Sequence, residues 1–185
     1  LHFGGDGEIV EWCVMMRELD PRGILSHLLK EGTVGTEEMD RIAERLRRFH
    51  AAQPPLAAEE AATAIERLRL ATDGNFQVAK DWIGRALSQA CFDAITHYTE
   101  LIYELGNGLL ESRIRGGWIR DCHGDLHAEH IHLAPDGVRI YDCIEFSTRF
   151  RHIDIASDIA FLAMDLDGHD RPDLAVHLVE LFATL

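Results

Sequence analysis

The sequence predicts a mainly helical α+β fold in which a small β-hairpin sheet carries the chemistry. Three observations predict it. Apolar residues recur at helical spacing from Asp20 to Gly117. Three short apolar runs follow between Trp118 and Asp142, the last two joined by Pro135-Asp136-Gly137, a tight-turn signature. Helical spacing then returns from Asp154 onward.

Gly4-Gly5-Asp6-Gly7 is a turn signal ahead of Ile9, Val10, Trp12 and Val14, a predicted strand. This glycine cluster has neither phosphate-loop spacing, and it precedes a strand instead of joining strand to helix, so it reads as a hairpin turn. Asp20 is a predicted N-cap, with Pro21 at the first helical position and Gly32 as the stop. Thr36 caps a second helix whose first turn carries Glu37 and Glu38 at the positive end of the dipole. Its apolar stripe is Met39, Ile42, Leu46 and Phe49, and Gln53-Pro54-Pro55 ends it. Residues 57–70 are rich in helix formers and make a third helix. Asn75 caps a fourth, with Phe76, Ala79, Trp82, Ile83 and Ala86 on one side. A long fifth helix carries Phe92, Ile95, Tyr98, Ile102, Leu105 and Leu109 and closes at Gly116-Gly117. Trp82, Tyr98 and Tyr103 are assigned to the core. Strands are predicted at 118–122, 131–133 and 138–142, and a helix resumes near Asp154 with Ile155, Ile159, Leu162 and Ala163 buried.

Composition narrows the function. The 185 residues suffice for one domain with a real core, and 46% hydrophobic with 27% charged is an ordinary globular balance. A net charge of −14 repels phosphate backbones, which argues against nucleic acid; it favours cationic ligands and solubility. No apolar run approaches the roughly 20 residues needed to cross a bilayer, and no signal peptide opens the chain. A cytoplasmic protein with no membrane partner is therefore expected. Cys13, Cys91, Cys122 and Cys143 are widely spaced, as reduced thiols in such a protein would be. The chain starts at Leu1 and stops within the amphipathic run 173–185, so it reads as a piece of a longer protein. Nothing in it speaks to oligomeric state.

The chemistry concentrates in one segment. Asp125 lies in a loop before the hairpin, and Asp142 ends the second hairpin strand. A tight hairpin brings its ends together, so the two carboxylates are expected at the mouth of one cleft. His130 opens the first hairpin strand, opposite Asp142. Asp, His and Asp at one spot can bind a divalent cation and hold a reacting hydroxyl.

His123-Gly124-Asp125-Leu126-His127-Ala128-Glu129-His130-Ile131 resembles the catalytic loop of aminoglycoside phosphotransferases and choline kinases, whose pattern is HGDxxxxN. Val138-Arg139-Ile140-Tyr141-Asp142 is similar to the following strand, which ends in the metal-binding aspartate. Asp154-Ile155-Ala156-Ser157-Asp158-Ile159-Ala160 is similar to the helix that supports the loop from beneath, and Glu11-Trp12-Cys13-Val14 to the hinge strand that meets adenine. The resemblance covers nearly the whole chain, in order. It implies the C-terminal lobe of a protein-kinase-like fold at 20–185, preceded at 1–19 by the last strand of the N-terminal lobe and the hinge. It implies ATP-dependent phosphoryl transfer to a hydroxyl of a small molecule. Asp125 would accept the hydroxyl proton. Asp142 would hold Mg²⁺. His123 would brace the loop, Leu126 and Ile131 would anchor it, and backbone groups at Glu11 and Cys13 would read ATP's adenine. Asp158 is expected to bond backbone amides of the loop, and Asp154 to cap its helix.

Two departures stand out. The family's Asn is replaced by His130, and imidazole nitrogen suits Mn²⁺ or Zn²⁺ better than Mg²⁺. The glycine-rich loop and phosphate-binding lysine are missing, so the fragment alone would not clamp ATP in the usual way. Two alternatives therefore stay open. One is a catalytically weak or inactive nucleotide-binding or regulatory domain. The other is a zinc-dependent hydrolase drawing on His127, Glu129, His130 and His132 near Cys122 and His123. Glu145 either touches metal or a cationic substrate, or pairs with Arg149 or Arg151. Asp165, Asp167 and Asp170 read as a solvated acidic helix end.

Overall fold

The computed structural model describes Gly4, residues 6–16 and residues 18–183. It is mainly helical with two small antiparallel sheets of two strands each. The chain enters through a 3₁₀ turn, Pro21–Gly23, capped by the Asp20 carboxylate accepting Arg22 N–H at 3.0 Å. Helices α1 (Leu25–Lys30) and α2 (Thr36–Ala52) follow. The N-cap of α2 is Gly35, one residue before the predicted Thr36. Glu38 reaches back to accept Gly35 N–H at 2.8 Å, so the first turn is closed from within. Its C-terminal carbonyls are satisfied by a distant residue: Arg120 donates to His50 O at 2.8 Å and to Gln53 O at 2.9 Å.

Next come α3 (Ala58–Lys80), α4 (Gln89–Leu105), α5 (Asn107–Arg115), β1 (Ile119–Asp121), β2 (Ile131–Ala134) and β3 (Gly137–Ile140). After these lie α6 (Thr148–Arg151), β4 (His152–Asp154), α7 (Ile155–Gly168) and α8 (Pro172–Ala183). Strand β1 pairs with β4, Ile119 opposite Asp154, and β2 pairs with β3, Ile131 opposite Ile140. The main core joins α1, α2, α7 and α8 around Leu25, Met39, Ile42, Leu46, Leu162 and Leu166. Leu126 and Ile131, expected to anchor the loop, are fully buried in it. Each contributes about 1.5–3 kcal/mol of burial. A smaller cluster joins Ala61, Ala64 and Ile119.

Four expectations are corrected. Residues 8–16 form no strand: Trp12 is 80% exposed, and no described segment pairs with this backbone, without which a strand leaves its polar groups to water. Gly5, in the predicted turn before it, lies outside the described residues, as do residues 184 and 185 at the end of the last predicted helix. Asn75 starts no helix. α3 runs through Gly74, because a single interior glycine costs only about 1 kcal/mol against strong helix formers on both sides. Trp82 and Ile83 then lie in the turns after α3. The long fifth helix is two, broken at Gly106, where a Cβ would come within 2.2 Å of Ile102 O. Finally, the stripe on α4 is not core. Phe92 is buried, but Tyr98 is 64% exposed and Ile95, Ile102, Leu105 and Leu109 are exposed with it.

Candidate active site

The loop between β1 and β2 has an acidic floor. On α7, Asp158 and Asp165 are seven residues apart, two turns along one face. Asp158 accepts His123 N–H at 2.9 Å and Gly124 N–H at 3.0 Å. Asp165 accepts Ala128 N–H at 2.7 Å. Asp158 is 1% exposed, and His50 Nε2, from α2, donates to it at 3.1 Å. A carboxylate buried this deeply is tolerable only with donors on both oxygens, which this one has. Gly124 is required on two counts. Its φ is +83°, and a Cβ would lie 2.6 Å from Phe150 O.

Two histidines then hold Asp125 by its backbone. His123 Nε2–H donates to Tyr141 O at 2.9 Å, leaving Nδ1 to accept Asp125 N–H at 3.3 Å. Burial lowers the His123 pKa below the ordinary imidazole value, the Tyr141 carbonyl opposing this only in part, so the ring acts as a neutral brace. His130 Nδ1–H donates to Asp125 O at 2.9 Å. That bond fixes the tautomer and turns Nε2 toward Asp142, whose Oδ2 is 3.3 Å away. Asp125 Oδ2 lies 3.9 Å from the same ring, at Nδ1.

The hairpin ends are tied beside this ring. Tyr141 N–H donates to His130 O at 3.1 Å, and the Tyr141 hydroxyl to Glu129 O at 2.8 Å. Asp142 follows in the left-handed region, φ 61°, which Asp tolerates better than most residues. Its side chain is 75% exposed. His127, given no individual role by sequence reasoning, stacks on His130 at 3.9 Å between ring centroids, with Nε2 3.7 Å from Asp125 Oδ2.

The structure thus brings together His123, Asp125, His130, Asp142 and Asp158. Glu145 is exposed near the loop: Ile144 N–H donates to His123 O at 3.1 Å. Its suggested partner Arg151 pairs with Asp121 at 3.0 Å instead. Glu11 and Cys13 lie on the unpaired segment; the Glu11 carboxylate accepts Trp12 N–H at 2.9 Å, and no described contact joins either residue to the loop. The zinc set weighed from sequence is split. His132 is buried and its Nε2 donates to Asp20 O at 3.0 Å, away from His130. Cys122 is buried too, and burial, with Asp158 second, pushes its thiol far up from the usual value. Asp165 is not the solvated residue expected but a second anchor of the loop. Its spacing from Asp158 was the available signal.

No family model matches the sequence, and no solved structure matches it. The chain is 28% identical over 180 residues to the uncharacterized protein Rv2004c of Mycobacterium tuberculosis (strain ATCC 25618 / H37Rv) and, equally, to the uncharacterized protein Mb2027c of Mycobacterium bovis. The match covers 97% of this chain but 36% of each relative, so the chain spans about a third of the curated relatives' length.

Proposed function

We propose that this chain carries the catalytic loop and metal-binding hairpin of an ATP-dependent phosphotransferase that acts on a hydroxyl of a small molecule. The observation that carries the reading is a single ring. His130 clamps the Asp125 carbonyl with one nitrogen and presents the other to Asp142, so the carboxylates of the loop and of the hairpin end lie on either side of it. The pairing of β1 with β4 around the β2–β3 hairpin, with α7 beneath the loop, supports a protein-kinase-like C-terminal lobe at 20–185.

Each residue has a task in this reading. Asp125, its N–H and C=O both held, has a fixed backbone from which its carboxylate orients the acceptor hydroxyl and takes its proton during attack. Asp142 Oδ2 and His130 Nε2 offer one oxygen and one nitrogen to a divalent cation. The donor set fits Mn²⁺ at least as well as Mg²⁺. A bound ion there would neutralise charge on the phosphate oxygens of ATP. Glu11 and Cys13 are assigned to adenine by resemblance alone. The acidic surface favours a cationic acceptor, and exposed Glu145 is the residue assigned to meet one.

The test uses the full-length native protein with ATP, Mg²⁺ or Mn²⁺ and a panel of hydroxyl compounds, following ADP and phosphorylated product. Asp125→Asn should lower kcat by about 10²–10⁴-fold, the usual loss with a general base. Turnover unchanged by that substitution would overturn the mechanism. Nucleotide binding with no turnover in any condition would favour the regulatory reading.

A further inference from the structure

We propose that Asp125, His127 and His130 form a zinc-binding site that takes the catalytic carboxylate out of use. Asp125, His127 and His130 each place one ligand atom within 4.8 Å of the others. Asp125 Oδ2 is 3.7 Å from His127 Nε2. Around a tetrahedral zinc with bonds of about 2.0–2.1 Å, ligand atoms stand roughly 3.3 Å apart. The three ligand atoms, within 4.8 Å of one another, stand somewhat wider than that, and rotation of the half-buried side chains closes the difference.

The chemistry of the donors selects the ion. Two imidazoles and a carboxylate are a set that borderline-soft Zn²⁺ prefers over Mg²⁺, which seeks oxygen. His130 is prepared for ligation. Its Nδ1–H is spent on Asp125 O, which leaves Nε2 as a lone pair. His127 has no task in phosphoryl transfer as proposed above, yet its nitrogen points at Asp125 and its ring is packed on His130.

The consequence rests on the phosphotransferase reading. An Asp125 oxygen bound to zinc cannot accept a proton, and His130 bound to zinc is lost to the nucleotide's cation. Zinc therefore acts as an inhibitor that competes with Mn²⁺ or Mg²⁺.

The deciding experiment needs no nucleotide. Metal-free full-length protein is titrated with Zn²⁺ against a chromogenic chelator. One tight zinc per chain is expected, weakened about tenfold or more in His127→Ala and in His127→Gln, both checked by circular dichroism for an unchanged fold. Equal zinc affinity in wild type and both variants overturns the site. Co²⁺ in place of zinc should give a spectrum without a thiolate charge-transfer band. Such a band would instead place the ion at the buried group His50, Cys122 and Asp158, and overturn the proposal. In protein that transfers phosphate, the zinc concentration for half inhibition should rise about tenfold in His127→Gln. Zinc bound without inhibition overturns the switch alone. Protein that binds zinc at His127 but never transfers phosphate would sink the phosphotransferase reading and leave the site standing.

Discussion

Asp125 shows how a loop residue can be held without packing of its own side chain. Its N–H is taken by His123 and its C=O by His130, while the carboxylate stays free. The residue before it is the weak point. Gly124→Ala places its one added carbon against Phe150 O on a residue whose φ is positive, a combined strain of about 1–3 kcal/mol. We expect a melting temperature several degrees lower and a loss of activity larger than that destabilisation alone would cause. Wild-type stability and turnover in this variant would show the loop to be loose.

His123 makes the loop sensitive to acid. In the unfolded chain it protonates near pH 6.5; in the fold, burial holds it neutral to lower pH. Below pH 6.5 the unfolded state therefore binds more protons, and stability rises with pH through that window. The contribution is complete above about pH 6.5 and is lost as pH falls through the folded value. Urea unfolding of metal-free protein at pH 7.5 and 5.5 should show the decline, and His123→Asn should flatten it. An identical slope in the variant would reassign the effect. Among single residues, Asp125, His130, Asp142 and Asp158 were singled out in sequence because the loop, strand and helix motifs name them in order. His127 was named only among the loop residues of the zinc alternative, because a histidine in a loop carries no mark of the partner it stacks on.

At the scale of elements, α7 organises the site. Asp154 begins it by accepting Ala156 N–H at 2.8 Å, and the same carboxylate receives Arg113 Nη2 at 2.6 Å from α5. Arg113, hydrogen-bonded to Asp154, is held more firmly protonated than usual. One helix start is thus tied to α5 and, through Asp158 and Asp165, to the loop. Periodicity found α2 and α7 because each keeps an unbroken buried stripe. It missed β4, whose three residues become a strand only by pairing with β1. It divided α3 at Gly74 because glycine and asparagine carry turn signals that the surrounding helix formers override. The hairpin was found at its turn, since Pro-Asp-Gly acts locally, whereas the left-handed Asp142 beyond it depends on tertiary context.

For the whole molecule, the two clusters of buried side chains differ greatly in size. The larger ties α1, α2, α7 and α8 to Leu126, Ala128 and Ile131, so the candidate site is built on the best-packed part of the chain. The smaller rests on Ala61, Ala64 and Ile119, and within α4 only Phe92 is buried. Local opening free energy follows buried apolar contact, reaching the global value only where packing is continuous. Amide hydrogen exchange followed by mass spectrometry should therefore be slowest in α2 and α7 and much faster in α4, although α4 is a 17-residue helix with a sound Ser88 cap. Helices of this length are marginal in water without a packed face, so capping alone does not protect it. Protection of α4 equal to that of α7 in the isolated chain would mean that the exposed Tyr98 and Ile102 face is covered in solution. If α4 exchanges fast while residues 123–130 stay protected, that loop draws its rigidity from the acidic floor of α7 and from the larger core.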